Sequence, residues 1–221
     1  MLIIEELMLV GTSPRGDSLL GTSRNIVVGG AALADLALTE RLDLDGRGRL
    51  RVLDGGSTGD GVLDQALALF AGKEGKKPKD ILEAIGKWML EPTLESLARQ
   101  ELVRPEPVKA LGLTWMTRWP AVSTVRREAV LAELAQVIEG TREADGHSGA
   151  VIALLRAGDV LHKVVGKELR PTLSNGQVRK RGKEISEGRW APEAVSKAVE
   201  DATAAVMASV IAAGGATAAS S

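Results

Sequence analysis

Apolar residues recur along most of this chain at helical spacing. In residues 1–10, Leu2 and Leu9 mark one face and Glu5 and Glu6 the other, and the run stops at Gly11, which predicts a short amphipathic helix. Residues 12–21 gather Pro14, Gly16 and Asp17 and read as a loop. Over residues 26–42, Val27, Gly30, Ala34 and Leu38 keep the helical period, while Gly29-Gly30 lets a neighbouring backbone come close; a buried helix is expected. The pattern then changes period. Leu42/Leu44 and Leu50/Val52 alternate on either side of Asp45-Gly46-Arg47-Gly48, as two short strands of a hairpin would.

Helical spacing returns with Leu63, Ala66, Leu67 and Phe70, preceded by Thr58-Gly59-Asp60, whose Thr or Asp oxygen can take up the free N–H groups of a first turn. Residues 72–79 are basic and read as a solvated loop, residues 80–90 as a helix with Pro92 near its end, and residues 94–103 as a helical continuation. Pro105 and Pro107 interrupt the pattern, and residues 111–119 are expected to be extended. Val130, Leu131, Leu134, Val137 and Ile138 predict one amphipathic helix, and Val151, Leu154, Leu155, Leu161 and Val165 a second. A last helix is expected from Pro192 through Val206, with residues 214–221 as a disordered tail. The fold class is therefore mainly α, a helical bundle with surrounding amphipathic helices and short β-hairpins, in a single domain over residues 1–213.

Composition sharpens this picture. With no tyrosine, one phenylalanine and four tryptophans in 221 residues, the core must be built from Leu, Val, Ile and Ala, which suits closely packed helices. The absence of cysteine excludes disulfides, thiolate metal sites and cysteine nucleophiles. A formal charge of −1 gives no whole-molecule attraction to nucleic acid or to an anionic surface, so any such bias is local. No apolar run approaches the ~18 residues that cross a bilayer. The acidic start has no basic leader, and a cytoplasmic chain is expected.

Four stretches carry candidate chemistry. The glycine-rich Gly55-Gly56-Ser57-Thr58-Gly59-Asp60-Gly61 invites a phosphate-loop reading but lacks the Gly-Lys-Ser/Thr ending, which favours a helix cap. His147 and His162 have no metal-ligand spacing, and a catalytic dyad would need geometry that the sequence does not specify. Between residues 167 and 189, seven basic residues stand against three glutamates, and Arg179-Lys180-Arg181 with Lys183 is either a solvated face or a contact for anionic headgroups. Arg118, Arg126 and Arg127 lie close in sequence to Trp115 and Trp119; basic charge beside interfacial aromatics is the stronger membrane signal.

The order of certain short stretches resembles the Golgi phosphoprotein 3 family. They are Glu5-Glu6-Leu7-Met8-Leu9-Val10-Gly11; Gly29-Gly30 followed by Ala34-Asp35-Leu36-Ala37 and Arg41-Leu42; Thr58-Gly59-Asp60 with Leu63-Asp64 and Ala66-Leu67; Met116-Thr117 with Pro120; and Ala150-Val151-Ile152-Ala153-Leu154 with Asp159-Val160-Leu161. The resemblance implies a helical bundle with a protruding hydrophobic hairpin. In eukaryotic members that fold binds phosphatidylinositol 4-phosphate, recruits the cytoplasmic tails of membrane proteins and self-associates through the hairpin.

The resemblance also implies where the site lies. The family's lipid-pocket tryptophan falls on Leu19, its first arginine on Val28, and two further arginines near Lys87 and Leu90. Leucine and valine cannot replace a guanidinium, which clamps phosphate by charge and paired hydrogen bonds. The hairpin corresponds to residues 107–118, with Leu111, Leu113, Trp115, Met116 and Arg118, and with Trp119 adjoining. It would contact either a bilayer or a second subunit. The expectation is a peripheral phosphoinositide or anionic-lipid binding protein, and the alternative is an oligomeric adaptor that no longer reads the phosphoinositide headgroup. No cofactor, metal, catalytic group or nucleic-acid partner is expected; the chain reads as a binding protein and not as an enzyme.

Overall fold

Two glycines set how the helices α2 (Arg24–Leu38) and α4 (Leu82–Arg99) cross. In the computed structural model, a Cβ added to Gly29 would lie 2.2 Å from the Leu82 carbonyl oxygen, and one added to Gly86 would lie 1.7 Å from that of Asn25. The two backbones touch, so any side chain at either position would push them apart. The structure describes residues 1–110, 113–166, 172–187 and 200–211, with the backbone alone for 109, 110 and 113–115. Leu111, the expected helix start at Pro192 and the expected tail 214–221 lie outside the described residues.

α2 is the centre of the molecule. Its residues from Ile26 to Leu36 are buried without interruption, as expected of a helix surrounded on all sides. A Cβ on Gly30 would lie 2.4 Å from Val206, so the helical stretch 200–211 closes over the face next to the one that meets α4. Leu7, Phe70, Leu82, Met89, Leu97, Leu131 and Leu154, from five helices, complete a core with almost no aromatic volume.

The first helix corrects the amphipathic reading. All eight residues of α1 (Ile3–Val10) are buried, Glu5 and Glu6 included. The carboxylates stay polar inside because partners reach them: Glu5 accepts hydrogen bonds from Ser96 Oγ (2.7 Å) and Gln100 Nε2 (2.8 Å), and Glu6 meets His147 Nε2 at 3.0 Å. From α2, Asp35 accepts the free N–H groups of Ile3 and Ile4 at 2.9 Å each and so caps α1 from another helix. Burial raises Asp35 from 3.8 to about 6 against the pull of those two bonds. At the other end of α1, the buried Arg127 donates to the carbonyls of Thr12 and Val10, a cation placed where the helix dipole is negative. Arg127 therefore leaves the basic set proposed from sequence.

The predicted hairpin forms as β1 (Leu42–Leu44) and β2 (Leu50–Val52), antiparallel with Leu44 opposite Leu50. Residues 72–79 are the expected loop, exposed apart from Gly75 and Pro78, and it is also anchored. Gly75 N–H donates to the Leu50 carbonyl and Leu50 N–H to the Lys76 carbonyl, and Pro78 is buried, so the loop is tied to the edge of the hairpin. α3 (Gly61–Ala71) is capped by Asp60, whose carboxylate accepts the N–H groups of Val62 and Leu63.

α4 continues through Pro92, joining the two helical runs expected on either side of it, and ends at Arg99. Proline frees the carbonyl four residues earlier, that of Trp88, which lies on the exposed side of the helix. The Thr93 hydroxyl donates to the Met89 carbonyl beside it. The helix expected over residues 151–165 is instead two, α6 (Gly146–Ala157) and the short α7 (Leu161–Val164). Asp159 between them has φ 53, and a Cβ on Gly158 would lie 2.3 Å from Val27, so the chain bends there to pass close against α2. α5 (Val125–Glu139) and α8 (Asn175–Ser186) flank this pair.

Candidate functional site

After α4 the chain crosses to a second hairpin, β3 (Glu106–Ala110) and β4 (Leu113–Arg118). Pro107 stays within the strand pairing opposite Thr117, as proline can in a two-stranded ribbon that is all edge. The register shifts between Val108, opposite Met116, and Lys109, opposite Thr114, which leaves Trp115 as the extra residue of a β-bulge. Below the ribbon, Arg104 N–H donates to the Pro120 carbonyl and Val122 N–H to the Leu102 carbonyl, which fastens its base. Glu106 and Pro107 on one strand and Met116, Thr117 and Arg118 on the other are exposed. The hairpin thus rises from the surface with side chains in solvent on both strands.

A cavity of about 390 Å³ opens at the foot of this hairpin. Its walls come from the end of α1 (Met8, Gly11), the loop over residues 12–20, the first residue of α2 (Arg24), α4 (Leu90, Glu91, Leu94) and the hairpin (Met116, Thr117) with Trp119. The loop is held tightly: Gly16 adopts φ +85 and approaches so near that a Cβ there would lie 2.8 Å from the Trp119 nitrogen, while Ala121 N–H donates to the Pro14 carbonyl. Floor and upper wall are apolar, through Met8, Leu90, Leu94 and Trp119. The charges are Arg24, Asp17 and Glu91. Asp17 has a long ion pair with Arg118, 3.9 Å, at the rim. Among the described residues, the side chains of Arg24 and Glu91 make no hydrogen bond or ion pair.

The model of a protein family described as Golgi phosphoprotein 3 (GPP34) matches residues 3–202. The chain belongs to this family. No curated protein matches it. Family membership agrees with the mainly helical architecture and its two short hairpins. Among the described residues, no helix is long and apolar enough to cross a membrane.

The four positions that the family resemblance marks as a lipid pocket do not converge. Leu90 lines the cavity. Leu19 is half-buried against the core, Val28 is fully buried inside α2, and Lys87 lies in an adjoining groove with Trp88, Gln65 and Pro92 that shares Glu91 with the cavity. Among the hairpin residues, Met116 and Trp119 line the cavity and Arg118 stands at its rim; Leu113 and Trp115 belong to β4, with their side chains outside the description.

Sequence reasoning missed Arg24, Glu91 and Leu94. Arg24 precedes the helix expected over residues 26–42, and Glu91 falls between the runs 80–90 and 94–103, so neither belonged to a motif. Only the fold brings them together at the hairpin's foot.

The other candidates resolve into structure. In the glycine-rich loop, Asp64 accepts from Ser57 Oγ, Thr58 N and Thr58 Oγ1, bonds that hold its carboxyl below the usual range, so the loop's donors are turned inward. Arg179 pairs with Asp159, Arg181 donates to the Ile138 carbonyl and to Glu184, and Lys183 stands 3.9 Å from Glu187, so three of the four residues in the Arg179-Lys180-Arg181-Lys183 cluster are engaged within the fold. His147 is raised above its ordinary value chiefly by its hydrogen bond to Glu6. His162 lies beside Arg179 and is lowered, first by desolvation.

Proposed function

We propose that this protein is a membrane-peripheral phospholipid-binding protein that meets the bilayer with the β3–β4 hairpin and receives a headgroup phosphate beside Arg24. The observation that carries this reading is the pairing of an exposed hairpin with an apolar-floored cavity at its foot. Leu111, Leu113, Trp115 and Met116 give the ribbon the residue types that partition into an interface, and Arg118 supplies a cation next to them. Arg24 adds a guanidinium with no partner among the described residues where such a lipid's polar end would sit. The role is binding, on the cytoplasmic face of a membrane, and no reaction is assigned.

Phosphatidylinositol 4-phosphate is the first lipid to test, because the family suggests it. Flotation with vesicles of neutral lipid, of anionic lipid and of neutral lipid doped with that phosphoinositide decides the matter. The proposal expects the protein to float with at least one of the three, and Leu113→Ser with Trp115→Ser to abolish flotation. A protein that stays in the dense fraction with every vesicle would overturn it.

A second reading is an oligomeric adaptor that binds membrane-protein tails and pairs through the hairpin. The dispersal of Leu19, Val28, Lys87 and Leu90 over three environments favours it, since no shared phosphoinositide pocket results. Sedimentation would then find a dimer or larger species at roughly 10–50 μM that Trp115→Ser dissociates. A monomer throughout counts against it.

A further inference from the structure

The proposed membrane role leaves open which headgroup the cavity takes, and its charges bear on that choice. The lining holds one guanidinium, Arg24, and two carboxylates, Asp17 and Glu91, with Arg118 reaching in from the rim toward Asp17. Lining and rim together carry two positive and two negative groups. A headgroup with several phosphate charges meets no net positive potential here, and its negative charge faces Glu91. A headgroup with one phosphate and one amine meets a partner for each. We propose that the cavity binds a zwitterionic amphiphile in which a phosphate and a primary ammonium are separated by a short linker, as in phosphatidylethanolamine.

The assignment of groups follows from chemistry and position. Arg24 offers N–H donors in a planar fork that fits phosphate oxygens. Glu91 offers a carboxylate with no other partner among the described residues, and an ammonium donates up to three hydrogen bonds to such acceptors. Asp17 is only loosely engaged at 3.9 Å and is a second acceptor. Leu90, Leu94, Met116 and Trp119 take the glycerol and the start of an acyl chain, which places the lipid tails on the hairpin side. A trimethylated amine has no N–H to donate, so choline lipids lose the contact with Glu91. This inference rests on the membrane reading for the lipid as source, but the cavity chemistry applies equally to a soluble phosphoethanolamine compound.

The test uses the full chain in two formats. Flotation compares vesicles of phosphatidylcholine alone with vesicles containing phosphatidylethanolamine, phosphatidylglycerol or phosphatidylinositol 4-phosphate. Titration with short-chain phosphatidylethanolamine below its micelle concentration, followed by tryptophan fluorescence, reads the cavity without a bilayer, and free phosphoethanolamine is the competitor. The expected result is about tenfold tighter binding to phosphatidylethanolamine than to the choline or glycerol lipid. Glu91→Gln should remove that preference while some membrane binding remains, and Arg24→Gln should weaken ethanolamine and glycerol lipids alike. Both side chains are on the surface, so the variants should fold, and unchanged urea midpoints would confirm it.

Equal binding to all vesicles, or a preference for the phosphoinositide or glycerol lipid, would overturn the headgroup assignment and leave the membrane reading intact. Binding of the short-chain lipid with no vesicle flotation would overturn the membrane reading and leave the assignment standing. Silence in both formats would overturn both. Displacement by free phosphoethanolamine would make the headgroup chemistry sufficient and a soluble ligand the source; its failure to displace would assign the site to a lipid.

Discussion

Two regions of this molecule hold acidic and basic groups close together, and they use them in opposite ways. Around α1, Glu5, Glu6, Asp35, His147 and Arg127 are gathered from four helices, and each meets a partner at 2.7 to 3.2 Å. At the foot of the second hairpin, Arg24 and Glu91 have no partner among the described residues, and the Asp17 pair is stretched to 3.9 Å. Polar groups that hold the fold are buried and saturated, since a bare one would cost about 1–3 kcal/mol. Those at the cavity remain in contact with water, so they hold the fold only weakly and are free to bind.

The contrast is most severely challenged at the α2–α4 crossing. Gly86→Val would drive a side chain into the Asn25 carbonyl, and a loss of about 4 kcal/mol or failure to fold is expected. Urea denaturation checks it; a near-normal midpoint would show that the helices can separate.

Next comes pH. Asp35 is raised by burial to about 6 from 3.8, so between these values the folded protein holds a proton that the unfolded chain has released. Stability therefore falls as pH rises across that window, by about 3 kcal/mol in all. His147 is raised above 6.5 by Glu6, so its contribution is complete below 6.5 and is lost as pH rises through the higher folded value. The two effects add. Urea midpoints should decline from about pH 4 upward and go on declining above about pH 6.5, with Asp35→Asn flattening the lower part and His147→Gln the upper. A midpoint that rises with pH would show that the cluster is not built as described.

At the cavity the expectation reverses. Arg24→Gln and Glu91→Gln should each leave stability within about 0.5 kcal/mol of the parent protein while changing lipid binding. The smallest effect belongs to Trp88, which is 68% exposed and outside the cavity. Trp88→Ala should alter neither stability by more than about 0.5 kcal/mol nor vesicle binding by more than about twofold. If Trp88→Ala abolished flotation, the membrane face would have to move toward the Lys87 groove.

The helices and the first hairpin were legible because period and turn chemistry are local, whereas the second hairpin followed from the family resemblance and local pattern gave only extended chain there. Val27 to Leu36, the turn at Asp45-Gly46-Arg47-Gly48 and the Asp60 cap each declare themselves within a few residues. The misreadings arose where distant partners changed what a residue does. Glu5 and Glu6 look like a solvent face until Ser96, Gln100 and His147 are brought to them, and Arg127 looks like a free surface cation until α5 places it at the end of α1. Pro92 separates two helical runs in the sequence, and α4 joins them because the carbonyl that the proline frees is near solvent. The cavity was the least legible part, since Arg24, Glu91 and Trp119 come from three separate segments and carry no shared motif.

The hairpin is where the functional account stands or falls. Flotation of the full chain should be compared with that of Leu113→Ser/Trp115→Ser, with urea midpoints taken in parallel. The account predicts that the double variant keeps its stability within about 0.5 kcal/mol and no longer floats with any vesicle that captures the parent protein. A stable double variant that still floats as well as the parent would contradict it.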